Sequence, residues 1–186
     1  KKFLQELPFP LTGAQQRVIR EIREDLQQTM PMQRLVQGDV GSGKTVVAAL
    51  SALMAVSSGY QAVMMAPTEL LAEQHYQTFR NWLEPLGIQV GWCAGKQTAA
   101  QRRQVIAALA EGEINIAVGT HALFQDEVTF NKLGLVIIDE QHRFGVHQRM
   151  ALRDKGKAVD ILPHQLVMTA TPIPRTLGMT AYADLN

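Results

Sequence analysis

The 186-residue chain is poor in several residue types, and each shortage excludes a class of protein. It contains a single cysteine, Cys93, which excludes an intramolecular disulfide framework and a multi-cysteine metal site. Its 18 Lys and Arg residues are balanced by 17 Asp and Glu residues, unlike the strongly basic composition of a polybasic nucleic-acid binder. Hydrophobic residues nevertheless make up 46% of the chain, so a wholly disordered protein is also excluded.

Long apolar runs are missing as well. The uncharged stretch from Val46 to Thr68 is interrupted by Gly59 and Pro67, whereas a membrane helix needs about 20 mainly apolar residues. We therefore interpret this stretch as a buried helix, a turn and a buried strand. The sequence contains no signal peptide and no N-x-[ST] site, so it predicts a cytoplasmic protein.

Short apolar runs alternate with helix-length segments along the chain. The predicted strands are Leu35–Gln37, Ala62–Ala66, Gln89–Cys93, Asn115–Val118, Leu135–Ile138 and Gln165–Met168. Helices are predicted from Thr12 up to Pro31, and at Thr45–Val56, Glu69–Trp82, Ala99–Glu111, Val146–Lys155 and Arg175–Tyr182. This alternation predicts an α/β fold with a doubly wound, mainly parallel sheet and helices on both faces.

The domain organisation is predicted to be simple. Residues 1–11 include Pro8 and Pro10 and are interpreted as a linker from an upstream domain. Residues 12–186 are predicted to form one lobe, and the absence of an initiating Met is expected of a piece of a longer chain.

Residues 38–45 read GDVGSGKT, which matches the phosphate-loop motif G-x-x-x-x-G-K-[ST] between a predicted strand and a predicted helix. Glycines let backbone N–H groups surround a phosphate, and the positive end of the following helix faces that anion. Lys44 can reach the β- and γ-phosphates, and the Thr45 hydroxyl can bind Mg²⁺. The predicted nucleotide-binding residues of this motif are Gly38, Asp39, Val40, Gly41, Ser42, Gly43, Lys44 and Thr45. By itself, the motif does not distinguish kinases, switches, transporters and motors.

Two adjacent carboxylates, Asp139 and Glu140, follow the apolar run Leu135–Ile138. In a parallel sheet, ligands bind at the carboxyl ends of the strands, where these acids are expected to lie. Asp139 is predicted to hold Mg²⁺, and Glu140 to orient and polarise the attacking water. A GTPase would also need an N-K-x-D signature, but residues 131–134 read NKLG and lack the Asp.

Further motifs appear in the order found in superfamily 2 helicases, and the chain resembles that family. Residues 139–142 read DEQH, a DExH box, while PTELLAEQ at 67–74, GTHAL at 119–123, TATP at 169–172 and LTGAQ at 11–15 resemble motifs Ia, Ib, III and Q. The resemblance covers nearly the whole chain. It implies a RecA-like lobe that binds ATP and Mg²⁺ and hydrolyses ATP, with Lys44, Asp139 and Glu140 as the catalytic residues.

Three segments resemble a smaller group within this family, the bacterial DNA helicases that act on branched DNA. These segments are residues 7–15, 141–149 and 169–177. Transcription-repair coupling translocases share the third segment and the HRFGV core of the second. The stretch before Gln15 and the presence of Gln141 favour the branched-DNA helicases. An alternative from another class is a P-loop binding module that is not a motor.

The resemblance also implies roles for individual residues. Gln15 would read the adenine base, although its spacing from Thr12 equally fits a helix capping box. The residues implied in DNA contact or in coupling hydrolysis to movement are Thr68, Thr120, Gln141, His142, Arg143, Phe144, Thr169, Thr171 and Arg175. Plainer alternatives remain open: a helix N-cap for Thr68, a tight turn for Thr120 and a solvated basic helix face around Phe144.

The implied partners are branched or duplex DNA, a second RecA-like lobe that supplies an arginine finger, and an upstream branch-recognition domain of the same chain. A membrane partner is not expected, and the protein is expected to be monomeric. Residues 141–186 hold six Lys and Arg against three Asp and Glu, while residues 1–140 hold twelve against fourteen. The basic residues are therefore concentrated toward the C-terminal third. The lobe alone is expected to be inactive or weakly active.

Overall fold

The structure is a computed structural model that describes residues 12–27, 33–37, 43–93, 97–125, 127–139, 164–169 and 181–184. Residues 33–37 and 181–184, together with Asp25, Phe124 and Thr169, are described by their backbone alone.

Four α-helices and seven strands are described. The helices are α1 (Gly13–Leu26), α2 (Lys44–Ser57), α3 (Glu69–Leu83) and α4 (Ala99–Glu111), and short 3₁₀ segments span Glu84–Leu86 and His121–Phe124. The strands are β1 (Gln33–Gln37), β2 (Gln61–Met65), β3 (Val90–Cys93), β4 (Ile116–Gly119), β5 (Leu133–Asp139), β6 (His164–Thr169) and β7 (Ala181–Asp184). The six predicted strands lie within two residues of β1 to β6.

The strands form one sheet in the order β3-β4-β2-β5-β6-β1-β7, and all neighbouring pairs are parallel. The predicted doubly wound parallel sheet is therefore confirmed. Strands β5 and β6 lie between β1 and β2, so the connection through α2 crosses one face of the sheet. The carboxyl ends of parallel strands share one edge, where ligands bind in such folds.

Apolar side chains alternate between the two faces of the sheet, as the strand period of two requires. In β2, Ala62 and Met64 join the core formed with α1, α2 and α3, whereas Val63 and Met65 join the opposite core, which includes Leu109 of α4. Helices thus cover both faces, as predicted.

The central strand β5 is buried along its whole length, which confirms that the apolar run Leu135–Ile138 is covered on both faces. Leu135 and Ile137 lie in the core beneath α2 and α3. Because alternate residues share a face, Asp139 continues this row toward the same helices. The sequence pattern therefore directs the first acid of the DExH box to the α2–α3 side.

Helix α2 is packed into the core and is built largely from alanine and valine. It is followed by a turn at Ser58 and Gly59 and then by buried β2, so the interpretation of the uncharged stretch is confirmed. Among the described residues, no helix combines the length and apolar character needed to cross a membrane.

One sequence prediction is wrong. The helix predicted at Arg175–Tyr182 cannot include its last two residues, because Ala181 and Tyr182 begin β7 and pair with Arg34 and Leu35 of β1. The pairing satisfies backbone groups along an edge of β1, and this long-range contact overrides local helix propensity. Residues 175–180, the predicted helix Val146–Lys155 and the predicted linker 1–11 lie outside the described residues.

Candidate active site

The phosphate-loop motif leads directly into α2. Its last glycine, Gly43, is the N-cap and has a φ of 80°, in the left-handed region that favours glycine. The carbonyl oxygen of Gly43 accepts from the N–H groups of Val46 and Val47, so the helix begins here. The N–H groups of Lys44 and Thr45 precede the first hydrogen bonds of the helix and have no acceptor within it, and no acidic residue occupies the first turn. This helix end therefore suits an anion.

Lys44 is the first residue of α2 and is only 8% exposed. Its Nζ atom is buried and has no hydrogen-bond partner within the described part of the chain. Burying an unpaired ammonium group is unfavourable, because it loses water without gaining an acceptor. The position therefore fits an anionic ligand such as a phosphate.

Asp139 is the last residue of β5 and is 3% exposed. Its two carboxylate oxygens have different environments. The Nε2–H group of His75 donates to Oδ2 at 2.7 Å, whereas Oδ1 is buried and without a partner among the described residues. The protein thus fixes one oxygen and leaves the other available to a cation or a water molecule.

Gln15 lies at the start of α1, and its side chain completes the predicted capping box. The Thr12 N–H group donates to Gln15 Oε1 at 2.9 Å, and the Gln15 N–H group donates to Thr12 Oγ1 at 3.1 Å. The amide end of Gln15 also lies against Gly43, since a Cβ atom built there would be 1.8 Å from Nε2. The capping alternative is confirmed, and Gln15 additionally contacts the phosphate loop. Its role in reading adenine stays a prediction.

Thr68 and Thr120 follow the carboxyl ends of β2 and β4. The exposed Thr68 caps α3, because its Oγ1 accepts from Leu71 N–H at 3.2 Å. Thr120 is buried at the turn after β4, and its hydroxyl has no partner among the described residues. Both plainer alternatives are therefore realised, while contact with DNA stays a prediction for each residue.

For the remaining predicted site residues, the structure gives few contacts or none. Thr45 is half-buried in the first turn of α2, and Thr169 ends β6. The positions outside the described residues are Gly38, Asp39, Val40, Gly41, Ser42, Glu140, Gln141, His142, Arg143, Phe144, Thr171 and Arg175.

The sequence analysis missed His75. This residue lies on the buried face of α3 with Ala72, Phe79 and Leu83, at the spacing of an apolar helical stripe. A histidine on such a stripe predicts a buried polar contact. From the sequence alone, however, the neighbouring Tyr76 could equally be assigned to the buried face of the helix. Its partner Asp139 is 64 residues away in sequence.

Comparison with known proteins identifies the family to which this arrangement belongs. A family model described as DEAD/DEAH box helicase matches residues 12–180. The chain belongs to this family. The helicase family that the phosphate-loop motif and the DExH box indicated is thus confirmed.

The curated relatives are more specific. Over 185 residues, the chain is 64% identical to the ATP-dependent DNA helicase RecG of Escherichia coli O157:H7, and over 186 residues it is 62% identical to RecG of Pasteurella multocida strain Pm70. All of this chain is covered, but it spans only 27% of the length of each relative.

A solved structure of RecG bound to a three-way DNA junction has a TM-score of 0.85 and 43% identity to the chain. The match covers 98% of this chain and 25% of that protein. It confirms the RecA-like fold class. The group of helicases that residues 7–15, 141–149 and 169–177 resemble is RecG. The comparisons with curated relatives and with the solved structure confirm this resemblance.

Proposed function

We propose that the chain is the ATP-binding motor lobe, RecA-like domain 1 at residues 12–186, of a DNA helicase or translocase that acts on branched DNA at replication forks or recombination intermediates. The lobe couples ATP hydrolysis to movement along duplex DNA. The proposal follows the names of the relatives, which are ATP-dependent DNA helicases, and the RecG structure, whose ligand is a three-way junction.

One structural observation carries the proposal. Lys44 Nζ and Asp139 Oδ1 are buried polar atoms without partners in the described part of the chain. Lys44 follows β1 and Asp139 ends β5, so both lie at the carboxyl edge of the sheet. An ammonium group and a carboxylate oxygen left open at this edge suit a phosphate group and a cation, respectively.

The donor set fits a nucleoside triphosphate with Mg²⁺. Lys44 and the N-terminus of α2 bind the phosphates, while Thr45 and Asp139 hold the metal ion directly or through water. Bound Mg²⁺ supplies charge neutralisation at the phosphates. Glu140 orients the attacking water, and Gln15 contacts the adenine base.

DNA contact and coupling are assigned to residues at or after the carboxyl ends of strands. In the sequence order of the helicase motifs, Thr68 and Thr120 follow β2 and β4, Thr169 is the last residue of β6, and residues 141–144 come after β5 in the sequence. Thr171 and Arg175 extend the motif III segment. A second RecA-like lobe and an upstream branch-recognition domain of the same protein complete the motor. The proposed location is the bacterial cytoplasm, and the proposed state is monomeric.

The decisive experiment measures ATP hydrolysis by the full-length protein with forked DNA, plain duplex, single strands and RNA at one salt concentration. Constant salt matters because phosphate contacts make nucleic-acid affinity steeply salt-dependent. We expect the largest stimulation with forked DNA. Equal rates with and without any DNA would exclude a DNA-driven motor and would favour a non-motor P-loop module.

A Lys44→Ala substitution tests the site itself. Removal of the ammonium group should abolish hydrolysis, because it contacts the phosphates on which negative charge develops. An Arg103→Ala variant, which removes a cation from the exposed face of α4, is the control and should retain wild-type turnover. Turnover by Lys44→Ala at the wild-type rate would refute the assigned site.

A further inference from the structure

Helix α3 buries one face against the core, and that face carries a single ionisable side chain. The buried residues are Ala72, His75, Phe79 and Leu83, spaced three or four residues apart. His75 is only 7% exposed. An imidazole at such a position needs a hydrogen-bond partner, since burying its polar nitrogens without one is unfavourable.

The partner of His75 is the carboxylate proposed to hold the metal ion. Nε2 of His75 and Oδ2 of Asp139 are 2.7 Å apart, and the two side chains are 9% and 5% exposed. The contact joins the second turn of α3 to the end of β5. It is a buried, short hydrogen bond between elements far apart in sequence, in contrast to the exposed ion pair between Arg80 of α3 and Glu84, the residue that follows this helix.

The hydrogen bond also orients the carboxylate. A free carboxylate rotates readily about its terminal torsion, because the preference at that bond is broad. With Oδ2 held by an N–H donor and the backbone of Asp139 held in the sheet beside Met168, this rotation is restricted. Oδ1 then remains the oxygen without a protein partner.

We propose that His75 is a positioning residue for the metal site: its Nε2–H group fixes Oδ2 of Asp139 so that Oδ1 is presented to Mg²⁺ or to a water molecule of its shell. This inference rests on the proposed nucleotide site. Residues that hydrogen-bond metal-binding carboxylates fix their orientation, and replacing them typically weakens metal affinity or activity by about 10- to 100-fold. His75 does not touch the nucleotide in this proposal.

The test compares two variants of the full-length protein that separate packing from hydrogen bonding. His75→Leu keeps an apolar residue on the buried stripe but removes the donor. His75→Gln places an amide N–H donor at a similar distance from the backbone as Nε2. If His75 only filled space in the core, leucine would be the better replacement, whereas the positioning role requires glutamine.

The measurement is the affinity for ADP by calorimetry, with and without Mg²⁺, together with the Mg²⁺ concentration that half-saturates ATP hydrolysis. We expect His75→Leu to raise that concentration by about 10- to 100-fold and to lose the Mg²⁺-dependent gain in ADP affinity. Its metal-free ADP affinity should stay at the wild-type value. His75→Gln should recover most of the Mg²⁺ dependence.

Wild-type Mg²⁺ dependence in His75→Leu, or equal losses in the leucine and glutamine variants, would overturn the proposal. If His75→Leu does not fold, His75→Asn replaces it, because its shorter amide cannot reach Asp139 and should weaken Mg²⁺ dependence as leucine would. Lys44→Ala tests the underlying site separately: it should reduce metal-free ADP affinity. If it does not, the proposed nucleotide site fails, whatever the His75 variants show.

Discussion

Gly43 occupies a position where both the backbone and the surrounding space exclude a side chain. Its φ of 80° is unfavourable for other residues, and a Cβ atom would lie 1.8 Å from Nε2 of Gln15. The Gln15 amide cannot simply move away, because Oε1 of the same group accepts a hydrogen bond from Thr12. The start of α1 and the end of the phosphate loop are therefore packed against each other.

We predict that Gly43→Ala lowers the metal-free ADP affinity of the full-length protein by at least about tenfold, equivalent to about 1.4 kcal/mol. The matched control is Gly59→Ala, because Gly59 has a φ of 91° but a Cβ atom added there would have no neighbour within 4 Å. Both substitutions add the strain of a left-handed residue, about 1–2 kcal/mol, but only the first displaces Gln15. Calorimetry should give wild-type affinity for the control. Equal affinities for the two variants would contradict the packing argument.

Local motifs are the part of the site that sequence predicts well. The capping box of Thr12 and Gln15, the start of α2 and the position of Asp139 at a strand end all depend on neighbouring residues. Each is present in the structure, with α2 beginning at Lys44, one residue before the predicted Thr45. His75 was not predicted, because its role depends on a contact with Asp139 across the core. The spacing of buried residues along a helix does not indicate which distant residue the buried face will contact.

At the scale of elements, α3 and α4 both begin with a threonine N-cap but lie on opposite faces of the sheet. Thr68 Oγ1 accepts from Leu71 N–H at 3.2 Å, and Thr98 Oγ1 accepts from Gln101 N–H at 3.1 Å. Both helices follow the carboxyl end of a strand, β2 for α3 and β3 for α4, but they pack on opposite faces of the sheet, and only Thr68 belongs to a segment proposed to contact DNA. The two caps therefore form a matched pair for separating helix stability from DNA contact.

We predict that Thr68→Ala and Thr98→Ala each cost about 1 kcal/mol of helix stability, which is the usual loss when an N-cap hydroxyl is removed. Only Thr68→Ala should reduce DNA-stimulated ATP hydrolysis several-fold, since only this helix end is proposed to bind a DNA phosphate. Hydrogen exchange at the two helix starts measures the first effect, and steady-state hydrolysis measures the second. If the two variants respond equally to DNA, then Thr68 is a cap and nothing more.

The predicted elements agree with the structure where the signal is local. Predicted Ala99–Glu111 has the observed bounds of α4, and the other strands and helices that are described are shifted by a few residues at their ends. The exception is β7, where Ala181 and Tyr182 were predicted as helix. An alanine and a tyrosine are compatible with either state, so pairing with β1 decides the outcome.

For the whole molecule, the sheet order brings together groups that are distant in the chain. Lys44 follows β1 and Asp139 ends β5, and β6 lies between these strands. Among the described residues, no hydrogen bond joins the two side chains, and each retains a buried polar atom without a partner, Nζ of Lys44 and Oδ1 of Asp139. A ligand that engages both would therefore join two parts of the sheet edge that the protein itself leaves unlinked.

This arrangement predicts how the full-length protein responds to Mg²⁺ and ADP. A ligand at 100 times its Kd stabilises the folded state by about 2.7 kcal/mol. Amide hydrogen exchange should therefore slow both at the start of α2 and at the end of β5. Lys44→Ala should lose both effects at the same ligand concentration, because its affinity falls. Slower exchange in α2 with no change in β5 would show that Asp139 does not share the ligand with Lys44. The two unpartnered atoms, Lys44 Nζ and Asp139 Oδ1, would then need separate explanations.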